Sequence, residues 1–152
     1  MKLNPLIFLI VVSTTLSGQA DNWPQWRGPT GNSVADNGTY PTEFSKNENV
    51  LWKVKLPGLG SSTPIVWGKN IFVTGGDDGS DSVQSYDWDG KLNWKTTFGP
   101  ERPGKHKNGS GANSSPVTDG KNIYVYFKSG TVASLTLDGK LNWKINLQEK
   151  FG

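Results

Sequence analysis

The heptapeptide Asp89-Gly90-Lys91-Leu92-Asn93-Trp94-Lys95 returns unchanged, forty-nine residues on, as Asp138-Gly139-Lys140-Leu141-Asn142-Trp143-Lys144. The agreement extends upstream. Gly68-Lys69-Asn70-Ile71-Phe72-Val73 answers Gly120-Lys121-Asn122-Ile123-Tyr124-Val125, and Ser62-Thr63-Pro64-Ile65 answers Ser114-Ser115-Pro116-Val117, both at a spacing of fifty-two. The difference between the two spacings locates a short insertion between Val73 and Asp89. A period of ~40–50 residues, made of short apolar runs and Gly turns, predicts propeller blades built of four antiparallel strands.

Each unit divides into four predicted strands, A to D, counted outward from the axis. They cover 63–67, 70–75, 82–88 and 92–98 in the first unit, and 115–118, 122–127, 131–137 and 141–147 in the second. Ahead of them, Val50-Leu51-Trp52-Lys53-Val54-Lys55-Leu56 alternates apolar and polar residues, as a half-buried strand does. It carries a third copy of the Leu-x-Trp-Lys half of the repeat, so the chain is expected to enter the array on an outer D strand. The expected fold is all-β: a partial propeller of two four-stranded antiparallel blades plus this leading strand. Leu92, Trp94, Leu141 and Trp143, with Ile71, Val73, Ile123 and Val125, are expected to form the core between sheets.

In antiparallel blades the A–B and C–D turns share one face, and the B–C and D–A connections share the other. The first face carries the repeated tight turns, including Asp89-Gly90 and Asp138-Gly139, a dipeptide suited to hairpins. Its glycines supply positive φ without steric cost, and the D-strand indole is expected to cover such a turn on a neighbouring blade. Gly90, Trp94, Gly139 and Trp143 are therefore the expected docking residues. The second face carries the divergent loops, Gly76-Asp77-Asp78-Gly79-Ser80-Asp81 and the long stretch from Gly99 to Gly111. Loops released from a repeat template, on a rigid scaffold, are where binding concentrates.

Met1-Lys2, the apolar run 6–12 and the small residues Gly18 and Ala20 have the order of a secretory signal, expected over 1–20. The apolar run is shorter than the ~20 residues a membrane span requires. Cysteine is absent from the sequence, which removes disulfides, thiolate metal sites, a Cys nucleophile and a lipid-bearing Cys after the signal. A periplasmic or secreted location follows as an expectation. The formal net charge of +3 is spread along the chain and makes no case for nucleic acid. Residues 21–49 are rich in Pro, Gly, Asn and Thr and read as an irregular lead-in, with the repeats over 50–152. The dense feature of the lead-in is Trp23-Pro24-Gln25-Trp26-Arg27-Gly28-Pro29. Its two indoles suit either a sugar-stacking platform with an Arg–Trp contact or, the favoured reading, anchorage of the chain end against the propeller.

Two stretches, Tyr86-Asp87-Trp88-Asp89-Gly90-Lys91-Leu92-Asn93-Trp94 and Leu135-Thr136-Leu137-Asp138-Gly139-Lys140-Leu141-Asn142-Trp143, resemble the docking motif of pyrroloquinoline quinone-like propeller repeats, with Asp where Thr usually precedes Gly. The lead-in is similar to the mature N-terminus of exported, planctomycete-type propeller proteins. The resemblance spans the chain after the signal and implies a propeller. For function it implies either a quinone-dependent dehydrogenase, holding the quinone and Ca²⁺ on the axis, or a non-enzymatic scaffold such as the lipoprotein of the outer-membrane β-barrel assembly machine. The adjacent-Cys disulfide and the Asp, Glu and Asn ligands of the dehydrogenases have no matching positions here.

Asp77, Asp78 and Asp81 offer hard oxygens for Ca²⁺, but the spacing lacks the later ligands of a calcium loop and favours a solvated turn. His106 is the sole histidine and supports neither a metal site nor a Ser–His–acid set. With Arg102, Lys105 and Lys107 it forms a basic finger suited to an acidic partner or a glycan, a plain solvated loop being the favoured reading. Two blades do not close a ring of ~4–8. The remaining blades are expected from a C-terminal part beyond this chain, with several copies of the chain as the alternative. The leading functional expectation is an exported, non-catalytic module that binds a protein or glycan through its loop face and needs no cofactor in this chain. The alternatives are the first part of a quinoprotein dehydrogenase, with quinone and Ca²⁺ held elsewhere, and an outer-membrane assembly scaffold.

Overall fold

A computed structural model describes residues 22–35, 38–106 and 109–152, and the expected signal over 1–20 lies outside them. The chain builds two four-stranded antiparallel sheets. The first is ordered β1 (Ile65–Trp67), β2 (Asn70–Asp77), β3 (Ser80–Tyr86), β4 (Leu92–Pro100). The second is ordered β5 (Val117–Thr118), β6 (Asn122–Tyr126), β7 (Thr131–Thr136), β8 (Leu141–Asn146). The inner strands are short because Pro64 and Pro116, which have no N–H to give, stand just ahead of them. The insertion noted in the sequence lengthens the β2–β3 hairpin to Asp77 and Ser80, closed by Asp78 and Gly79, both at positive φ.

The blades pack face to face around Ile65, Phe72, Val83 and Phe98 of the first unit and Ile123, Val125, Phe127 and Leu135 of the second. Phe72 meets Trp94 with ring centroids 5.9 Å apart, and Phe98 meets Phe127 at 5.4 Å. The expected core is corrected here. Val73, Ile123 and Val125 are buried, Trp94 is half-buried, and Leu92, Leu141 and Trp143 are exposed. In a stack of sheets the forward face of one unit meets the backward face of the next. Phe72 therefore reaches the inter-blade core, while in the second unit it is Ile123 and Val125, equivalent to Ile71 and Val73, that do so.

The leading stretch 50–56, expected as an outer strand, forms none, and Leu51 is 95% exposed. It is held instead by one side chain. Trp52 lies over Gly90, where an added Cβ would sit 2.7 Å from the ring, and its indole N–H donates to the Trp88 carbonyl at 2.7 Å. Trp94 makes the same contact one unit later. It lies over Gly139, where a Cβ would sit 2.5 Å away, and donates to the Leu137 carbonyl at 3.1 Å. Both glycines have positive φ. Trp67, at the β1–β2 turn, covers Gly120 of the next unit's corresponding turn. Trp143 has no such turn to cover among the described residues and is 45% exposed.

A short helix not expected from the sequence, α1 (Leu147–Phe151), follows β8. Asn146 caps it, its side-chain oxygen accepting the Gln148 and Glu149 N–H groups. The strand expected through residue 147 accordingly ends at Asn146.

Candidate binding face

The lead-in runs as a tape along the inner edges of both blades. Asn22 accepts the Gly68 N–H on the tight-turn face at 2.7 Å. Trp23 then forms an antiparallel bridge with Val66 of β1, the two N–H···O bonds measuring 2.8 and 2.9 Å. The Pro24 carbonyl accepts the Thr118 N–H of β5 at 2.9 Å, which ties the second blade to the first. The Trp23 ring packs on Gly28. Trp26 therefore emerges on the loop face and stays 63% exposed, with the Arg27 guanidinium 5.7 Å from its ring centre. One indole is anchored and the other is free to solvent.

Where the tape meets the starts of the two inner strands it leaves a pocket of about 550 Å³, lined by Gln25, Trp26 and residues around Thr63 and Ser115. Every lining residue is uncharged. A quinone bearing several carboxylates, with its divalent cation, requires cationic and acidic partners that this lining does not supply. Among the described residues no three His, Cys, Asp or Glu side chains come together. The residues present do not fit that group.

The long connection from β4 to β5 folds over the loop face. Glu101 donates its N–H to the Gly79 carbonyl, and Arg102 donates to Gln148 of α1 at 3.1 Å, linking the ends of both units. The Lys128 ammonium reaches the Pro103 carbonyl. Asn113 accepts the Ser110 N–H and hydroxyl, closing the end of the loop. Arg102, Lys105 and His106 are all exposed on this face, and Lys107 lies outside the described residues.

The three aspartates proposed from sequence part ways. Asp77 pairs with Lys95 of β4 at 2.6 Å, and Asp78 turns the hairpin at φ 47°. Asp81 points inward and is 1% exposed, and no hydrogen bond of ordinary geometry reaches either carboxylate oxygen. Burial raises its pKa, the Ser129 hydroxyl opposes that shift, and the Glu101 charge adds to it. Nothing in the spacing of a loop rich in aspartate marks which one turns inward. On the opposite face Asp119 accepts the Asn122 and Lys121 N–H groups and the Tyr124 hydroxyl, and these bonds hold its carboxyl below the ordinary range.

Comparison with known proteins adds one match. The family model described as outer membrane protein assembly factor BamB, of the PQQ repeat type, matches residues 33–152. No curated protein matches the chain.

Proposed function

The chain belongs to the family of the outer membrane protein assembly factor BamB, and on that premise we propose that it is an exported propeller module that binds a partner through its loop face and carries out no chemistry of its own. The observation that carries this reading is the asymmetry of the two faces. Tight turns sealed by Trp52, Trp67 and Trp94 occupy one, and the other gathers the long β4–β5 connection, the exposed indole of Trp26 and the axial pocket. Export is supported by the pattern of residues 1–20. No helix among the described residues is long and apolar enough to cross a membrane.

A photo-reactive residue placed at Lys105, on the loop face, is expected to form adducts with a partner in the cell envelope. The same residue at Lys121, on the tight-turn face, is expected to form none. Adducts confined to Lys121 would overturn the proposal. The family's name favours a second, narrower reading, a scaffold for outer-membrane protein assembly. Identification of the Lys105 adduct as a component of that machinery would separate it from a general binding module. Exposed Trp143 and Tyr126, on the forward face of the second unit, support the packing of a further unit there, from a longer chain or a second copy.

A further inference from the structure

Resting on the loop-face reading, we propose that the axial pocket is a binding site for a neutral polysaccharide segment, with one sugar ring stacked on Trp26. The indole is presented rigidly. Arg27 and Gly28 both adopt positive φ, 68° and 78°, in a loop closed by the Gly28 N–H to Gln25 carbonyl and Ser33 N–H to Arg27 carbonyl bonds. The Arg27 side chain is in turn tethered, its Nε donating to the Ser33 hydroxyl at 3.2 Å, so the guanidinium stays against one side of the ring. A non-glycine residue in that backbone region carries strain that the surrounding bonds must hold, a feature that clusters at ligand-binding positions. Trp26 is 63% exposed and lines the pocket.

The chemistry of the lining selects the ligand class. Gln25, Thr63, Asn113, Ser114 and Ser115 offer amides and hydroxyls with no formal charge. Asn113 spends its carbonyl on Ser110 and Gln25 spends its amide N–H on the Gly28 carbonyl, which leaves an amide N–H donor on the first and a carbonyl acceptor on the second. A sugar ring matches this arrangement: its C–H face covers an indole while its rim of hydroxyls both donates and accepts. The volume is within the range of small-ligand sites.

A peptide is disfavoured on a separate observation. Strand addition needs backbone N–H donors along the inner edge, and here they are already used or missing. The Ser61 N–H goes to the Ala112 carbonyl, that of Thr63 to the Ser115 hydroxyl, that of Val66 to Trp23 and that of Thr118 to Pro24, while Pro64 and Pro116 have none.

Affinity electrophoresis of the folded chain through gels containing amylopectin, hydroxyethyl cellulose or galactomannan, with anionic alginate as the charged comparison, tests the proposal. At least one neutral polymer should retard the protein. Trp26→Ala should weaken that binding at least about tenfold, or ~1.4 kcal/mol, with partial recovery in Trp26→Phe. Phe44→Ala, which removes another exposed aromatic ring, should leave it unchanged. Because Trp26 is largely outside the core, circular dichroism of the variant should match that of the parent. Retardation by none of the neutral polymers, stronger retardation by alginate, or equal loss in Phe44→Ala would overturn the ligand class. If Lys105 cross-linking still captured a partner, that failure would leave the loop-face reading standing; loss of both would remove it.

Discussion

An indole laid flat on a backbone turn requires that the turn have no Cβ, and this requirement ties Trp94 to Gly139 and Trp52 to Gly90. It predicts a contrast between two residues that are identical in sequence context. Trp94→Ala should destabilise the chain by about 2–4 kcal/mol, since it opens the inter-blade core beside Phe72. Trp143→Ala should change stability by less than about 0.5 kcal/mol, as read by urea denaturation of each variant. The docking pair was legible in the sequence because the motif is copied whole; that Trp143 covers no turn among the described residues was not, since local sequence is the same at both. Asp81 was legible only as a carboxylate in a loop. Its pKa is raised by burial, so between the ordinary carboxylate range and that raised value the folded chain holds a proton that the unfolded chain has released. This group's contribution to stability therefore falls as pH rises through that window, and the loss is complete above it. Asp81→Asn should therefore stabilise the fold at neutral pH by on the order of 1–2 kcal/mol, read as a higher thermal midpoint. It should also flatten the decline in stability as pH rises above the ordinary carboxylate range.

At the scale of elements, equivalent hairpins reach one shape by different means. In the β3–β4 turn the Asp87 carboxylate accepts the Asp89 and Lys91 N–H groups at 3.0 and 2.9 Å, whereas in the β7–β8 turn the Thr136 hydroxyl takes the Lys140 N–H at 3.1 Å. Asp87→Ala should cost about 1 kcal/mol, and Asp87→Thr should restore part of it by copying the second unit, both measurable in thermal melts. The strands themselves were legible from Gly turns and apolar runs. Their burial was not, because alternation identifies two faces without saying which one a neighbouring unit will cover, and Phe72 and Ile123 sit on opposite faces of equivalent strands. The helix α1 escaped notice because five residues give too little periodicity, although Asn146 followed by Glu149 has the spacing of an N-cap and a third helical residue.

For the whole molecule, sheets stacked as repeats are expected to gain stability from neighbours alone, so that each unit could open separately. The tape from Asn22 to Pro24 changes that. It is hydrogen-bonded to β1 through Trp23 and to β5 through Pro24, while Trp94 joins the same two sheets at the outer rim. The candidate site lies where this tape leaves the inner edges, and the sequence placed its aromatic residues without revealing which one would be anchored. Fastening at both the hub and the rim makes the pair of sheets melt as one body. Calorimetry should show a single transition whose van't Hoff and calorimetric enthalpies agree, and a chain beginning at Gly28 should split it in two. A partner gripping the exposed end of the tape at Trp26 would then be pulling on a strap that holds both sheets shut, so occupancy of that end should be felt as resistance to heat across the entire assembly.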